Sequence, residues 1–141
     1  MSWRIRPFAQ ADTENVVALW RDCGLTRPWN DPHRDIARKL QVQPELFLVG
    51  ECAGAVVASV MAGYEGHRGW VYYLAVDPRH RRRGFARELM QHVEAALLAR
   101  GCPKISLLVR ENNTEVLAFY ARLGYAQDAA VPLGKRLIPD D

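Results

Sequence analysis

Apolar residues recur along the chain with two different periods, and each change of period marks an element. WRIRPF, residues 3–8, alternates bulky and basic positions and predicts a first strand. Asp12 or Thr13 then offers a helix cap, followed by Val16, Val17, Leu19 and Trp20 at helical spacing. A second helix is expected over residues 32–41, capped by Asp31, with Ile36 and Leu40 facing inward and Pro44 closing it. LFLVGECAGAVVASVMAGY reads as two strands folded about Ala53-Gly54, a tight hairpin turn.

WVYYLAV, residues 70–76, is almost continuously apolar and β-branched, the pattern of a central strand buried on both faces. Asp77-Pro78 stops it. A helix opening near Gly84 carries Phe85, Leu89, Val93 and Leu97 against Arg87, Glu88, Gln91 and Glu94. KISLLV follows Gly101 and Pro103 as a fifth strand. A fourth helix has Asn112 and Glu115 as a capping box, an inner stripe of Val116, Tyr120 and Leu123 with Leu117 beside it, and Gly124-Tyr125 as its stop. Residues 125–127 and 133–137 would form a short final hairpin. The order predicts an α/β (α+β) fold, a mixed sheet of about seven strands with four helices on its two faces.

At 141 residues, 49% hydrophobic and 25% charged, the chain is sized and composed as one globular domain, with no repeat or linker. Charges interrupt the N-terminal apolar residues too early for a secretory leader, and no apolar run is long enough to span a bilayer, so a cytoplasmic location is expected. Cys23, Cys52 and Cys102 lack paired spacing and suit buried thiols, and the four histidines show no ligand spacing, so no metal is expected.

The net charge of +3 is unremarkable, but Arg79, Arg81, Arg82, Arg83 and Arg87 place five of 19 basic residues within nine positions. They cluster where a helix leaves backbone N–H groups unpaired and its dipole is positive. An anion, and a phosphate above all, relieves that arrangement, with Gly84 and Ala86 leaving the backbone approachable. A solvated basic turn is the plain alternative. Nucleic-acid binding is disfavoured because the run follows no exposed helical face and has no interleaved aromatic platform. Neither a P-loop nor a dinucleotide glycine pattern is present.

Val76 to Ala86, V-D-P-x-x-R-x-x-G-x-A, resembles the acyl-CoA signature of the GCN5-related N-acetyltransferases. The N-x6-Y and L-G-Y elements between Asn113 and Tyr125 extend the likeness to nearly the whole chain. The resemblance implies that the fourth and fifth strands splay apart around the pantetheine arm of acetyl-CoA. Backbone groups of Leu74, Ala75 and Val76 would pair with that arm. The pyrophosphate would rest on N–H groups of Arg82, Arg83, Gly84, Phe85, Ala86 and Arg87, with Arg79 and Arg81 near the 3'-phosphate or solvated.

By the same resemblance Asn113 meets the cofactor, although a plain helix-cap role fits it as well, and Tyr120 protonates the departing thiolate. The acceptor would be a small amine or a peptide amine, and neither nucleic acid nor membrane is an expected partner. The chain would act as a monomer or homodimer. One departure stands out: the fourth and fifth strands offer Tyr72, Tyr73, Ser106, Leu107 and Leu108 but no carboxylate to serve as base. Leu108 stands where the ribosomal-protein N-terminal acetyltransferases have a glutamate, which leaves a water chain, Glu65 or Glu111. Trp29, Asn30, Asp31 and His33 fall where acceptors usually bind. A protein of this fold that senses acyl-CoA without turnover is the alternative reading.

Overall fold

The computed structural model describes residues 2–140. Its elements are β1 (Trp3–Pro7), α1 (Thr13–Asp22), α2 (Pro32–Lys39), β2 (Phe47–Cys52), β3 (Ala55–Tyr64), β4 (Gly69–Val76), α3 (Phe85–Ala99), β5 (Ile105–Leu107) and α4 (Thr114–Arg122). The strands lie in chain order in one sheet. Successive pairs are antiparallel until β4 and β5, which run parallel because α3 carries the chain back across the sheet.

Strand periodicity divides the core in two. Leu48, Ala58, Val60 and Ala62 face the layer of α3 and α4, joining Leu89, Met90, Val93, Leu97 and Tyr120. Phe47, Val49 and Met61 face the other way, onto Val16, Val17, Trp20 and Ile36 of α1 and α2. Both helix layers are therefore set by a period of two in β2 and β3 meeting a period near 3.6 in the helices. Asp31 caps α2 as expected, accepting from the N–H groups of His33 and Arg34. Asp12 stands at the start of α1 but gives its side chain elsewhere, taking two bonds from the Arg6 guanidinium at 2.8 and 2.9 Å and one from the Ala9 N–H.

Three expectations are corrected. The sheet has five strands, and the final hairpin is absent: residues 126–140 form no strand, leaving Val131, Leu133 and Leu137 exposed. Pro132, Gly134 and Pro139 interrupt any ladder there. Instead the segment is held by ionic contacts. Lys104 pairs with Asp128, and Asp140 accepts from the Asp31 N–H and from Arg38. Second, β4 is not buried on both faces, since Tyr72 is 51% exposed. Third, the cap of α4 is Asn113 rather than Asn112: its side chain accepts from the Val116 N–H at 3.3 Å.

Candidate active site

The strand β4 is straight only in its first half. Ser59 pairs with Ala75 and Met61 with Tyr72, so two residues of β4 answer one of β3 and a bulge forms at Tyr73. Tyr73 sits there at φ +54°, a left-handed conformation that a tyrosine rarely adopts. Neighbouring groups hold it. The fully buried Ser59 hydroxyl donates to the Tyr73 carbonyl at 2.9 Å and accepts from the Trp20 indole N–H at 2.9 Å. The Tyr73 ring stacks on Trp20 with centroids 3.8 Å apart, and its hydroxyl donates to Asp35 at 2.6 Å.

The other edge of β4 opens at the same level. Gly69, Trp70 and Val71 pair with Ile105, Ser106 and Leu107, and pairing ends there. Glycine is required at the closed end, because a Cβ on Gly69 would stand 2.9 Å from both Cys102 Sγ and Leu97 Cδ1. Beyond Val71, β4 runs on through Leu74, Ala75 and Val76 without a β5 partner. Of these three, Val76 has its carbonyl engaged by the chain itself, by Arg81 Nε at 3.2 Å and Cys23 Sγ at 3.3 Å.

At the end of β4 the chain makes a short turn, Pro78–His80, and enters α3 through Gly84. Arg82 at φ +65° and Gly84 at φ +78° are left-handed, a backbone form that turns N–H groups toward a common concavity. No side chain caps the N-terminus of α3. The five arginines divide their roles. Arg79 folds back onto Asp77 at 2.9 Å, and Arg81 bonds the Val76 carbonyl. Arg83 approaches His80. Among the described residues the side chains of Arg82 and Arg87 make no ion pair or hydrogen bond. Phe85 stacks on Trp3 at 3.8 Å with the ring planes 2° apart, so its side chain is a core anchor and only its N–H faces the turn.

Tyr120 belongs to the apolar cluster that also holds Val71 and against which Leu74 and Leu107 pack, on the side of the sheet covered by α3 and α4. Phe119 and Tyr125 meet its ring edge-on, and burial pushes its phenol up to about 12. Its hydroxyl bonds to no described group. No fully buried side-chain oxygen or nitrogen goes unpartnered among the described residues, so that hydroxyl retains an opening to the outside.

The residues singled out for an acceptor are mostly spent on local structure. Asp31 caps α2, His33 pairs with Glu14 at 3.0 Å, and Asn30 accepts from Arg136. Trp29 alone stays open, at 55% exposure. Glu65 turns back to accept from the N–H groups of His67 and Arg68, which hold its carboxyl below the usual range and weaken it as a base. Glu111 is exposed on the turn before α4. A further carboxylate lies beside the bulge: Asp35 comes from α2, 38 positions before the tyrosine it meets, and no sequence pattern announces it. Nothing local in the sequence ties it to Tyr73.

Among the described residues no three metal-ligating side chains converge, and no helix is long and apolar enough to cross a membrane. The sequence model of the acetyltransferase (GNAT) family matches residues 12–125. An acetyltransferase of Yersinia enterocolitica is 55% identical over 136 residues, 96% of each chain. The structure of Ard1 from Thermoplasma volcanium is similar with a TM-score of 0.76 and 25% identity, covering 92% of this chain and 86% of that one. AAC(6')-Iy, solved with the bisubstrate analogue CoA-S-monomethyl-acetylneamine, shares the fold with a TM-score of 0.79 at 17% identity, over 98% of this chain and 100% of that one.

Proposed function

Since the chain belongs to the acetyltransferase (GNAT) family and is thus an acyltransferase, we propose that it moves the acetyl group of acetyl-CoA onto a primary amine by direct attack on the thioester. Residues 1–141 act as a single N-acetyltransferase domain. The observation that carries the reading is the conjunction of an uncapped, arginine-flanked helix start with the unpaired edge of β4. An added strand needs free backbone groups, and a diphosphate needs convergent N–H donors. β4 and the turn into α3 offer these in succession.

In this reading Leu74 and Ala75 pair with the pantetheine arm. Val76 contributes its carbonyl only if Arg81 and Cys23 yield it. The diphosphate rests on the N–H groups of Arg82, Arg83, Gly84, Phe85, Ala86 and Arg87, and the unpartnered side chains of Arg82 and Arg87 add charge. Arg81 is the hinge between the two contacts, and Asn113 presents its amide N–H group while its oxygen caps α4.

Tyr120 donates to the leaving sulfur. With its phenol near 12 it is protonated at neutral pH, and transfer to a thiolate that had already departed would run uphill. The proton therefore moves together with C–S cleavage. Holding the thioester and the amine at attack distance supplies the larger share of the rate, roughly 7–11 kcal/mol for well-oriented partners.

Isothermal calorimetry with acetyl-CoA, on the parent and on Gly84→Ala, tests the reading. Alanine at φ +78° meets no neighbour within 4 Å but disfavours the left-handed turn by about 1–2 kcal/mol, so a free loop that relaxes must pay this on binding. Affinity is expected to fall roughly 5–30-fold. No heat from the parent at millimolar acetyl-CoA rejects the function.

A further inference from the structure

Neither β4 nor β5 carries an acid, yet the fold brings one to the bulge from elsewhere. Asp35, in the first turn of α2, accepts the Tyr73 hydroxyl at 2.6 Å through Oδ2. Tyr73 lies within the stretch of β4 that has no β5 partner, and its ring is fixed by the Trp20 stack. Its phenol hydrogen is thus committed to Asp35, and its oxygen, which keeps its acceptor lone pairs, takes a hydrogen bond from no described group. The Asp35 side chain keeps 23% of its exposure, so it can pass a proton on to water.

We propose that Tyr73 and Asp35 form the proton relay that deprotonates the incoming amine, Tyr73 touching the amine and Asp35 acting through it as the positioning group and proton sink. The inference rests on the acetyltransferase reading above and adds to it the missing base. The ammonium gives up two protons. The first passes to the Tyr73 oxygen as the phenol hydrogen moves to Asp35, and from there to water. The freed lone pair then forms the N–C bond to the thioester carbon. When the tetrahedral adduct collapses and the C–S bond breaks, Tyr120 protonates the sulfur, and the second proton, shed by the nitrogen, restores Tyr120. The products are the amide, free coenzyme A and one proton to solvent, with no other reactant.

The groups around Asp35 are compatible with this role. From its own helix Arg38 approaches Oδ1 at 3.4 Å, but Arg38 is also held by Asp140 from the C-terminal segment, which Arg136 faces as well. Asp140 thus draws the cation's charge away from Asp35. From β4 the facing group is Tyr73 itself, whose phenol is driven far above its ordinary value by burial and by the carboxylate. A phenol that resists ionisation serves as a conduit, passing one proton as it receives another, and never as a standing phenolate.

The test uses methylamine, a primary amine small enough to need no tailored recognition, with coenzyme A release followed from pH 6 to 10. The parent is expected to give a rate that varies little between pH 7 and 9. Asp35→Asn keeps an acceptor for the tyrosine hydroxyl but cannot take a proton, and Tyr73→Phe keeps the ring stack. Each should lose about 10²-fold or more at pH 7, the typical worth of a positioned base, and recover about tenfold per pH unit as free amine becomes available. Calorimetry with acetyl-CoA should show that both variants still bind it, since the Ser59 hydroxyl and the Trp20 stack continue to hold the bulge. Absence of acetyl-CoA binding by the parent strikes at the acetyltransferase reading, whereas slow turnover by variants that still bind isolates the relay. The relay is overturned if either variant keeps a rate within threefold of the parent at pH 7, if its loss is the same at every pH, or if the acetyl-CoA-binding parent releases no coenzyme A in response to methylamine.

Discussion

Ser59→Ala probes the bulge from beneath. The Ser59 hydroxyl is fully buried and makes two contacts at 2.9 Å, donating to the Tyr73 carbonyl and accepting from the Trp20 N–H. Alanine removes both at once with almost no change in volume, so cavity effects are small. Each buried group left without a partner costs about 1–3 kcal/mol, and the carbonyl, which has a second lone pair, belongs at the lower end. A total of about 2–4 kcal/mol follows, a large part of the ~5–15 kcal/mol that holds a domain of this kind. For a chain of this length that is a fall in Tm of roughly 6–12 °C.

Urea unfolding of the parent, Ser59→Ala, Trp20→Phe and the double variant isolates the mechanism. Trp20→Phe removes the indole donor, so in its background Ser59→Ala orphans only the carbonyl, and its cost should shrink by about 1 kcal/mol. Additivity within about 0.3 kcal/mol, or a single-variant loss below about 0.5 kcal/mol, would refute the account of how the bulge is held. A correct account also predicts weaker acetyl-CoA binding by Ser59→Ala, because the register of Leu74 and Ala75 depends on the bulge.

Two further consequences are measurable. Gly50→Ala should destabilise by about 1–3 kcal/mol in urea unfolding, since overpacking a filled core has that range; the added Cβ would collide with the Trp3 ring, which is pinned by its stack on Phe85 at the start of α3. An unchanged midpoint would show that the stack yields freely. Asp140 has its carboxyl drawn down to about 2, first by Arg38 and then by the Asp31 N–H. A depressed carboxylate stabilises fully above its unfolded value, about 3.9, and that contribution is lost as pH falls toward 2. Exchange of the Asp31 amide should therefore accelerate between pH 4 and 2, and Asp140→Asn should show fast exchange already at pH 6; equal protection in the variant refutes the latch.

The readable parts of the fold share a physical trait: their signals act over a few residues. Asp31 before Pro32 announces a helix start whatever packs above it, and Ala53-Gly54, both at positive φ, announces a turn. The same holds for the uncapped entrance to α3, where Gly84 and the arginines are neighbours in the chain. Misreadings arose where an element depends on a partner. KISLLV has strand composition throughout, but only Ile105–Leu107 finds a ladder, because β4 turns away at its bulge. The five residues Leu133 to Leu137 carry apolar side chains at both ends and still form no strand, since the segment is drawn to Arg38 of α2 by Asp140 and to Asn30, before α2, by Arg136.

Periodicity, caps and turns in the amino-acid order thus determined which stretches coil or extend, which faces turn inward, and where an anion would be welcome at a helix start. Tertiary structure alone decided that β4 kinks at Tyr73, that its far edge stays open, and that Asp35 reaches it across 38 positions. The reason is one of range. Backbone conformation answers to immediate neighbours, whereas register, strand ends and the meeting of a phenol with a carboxylate are fixed only when distant segments compete for the same hydrogen bonds and the same buried space.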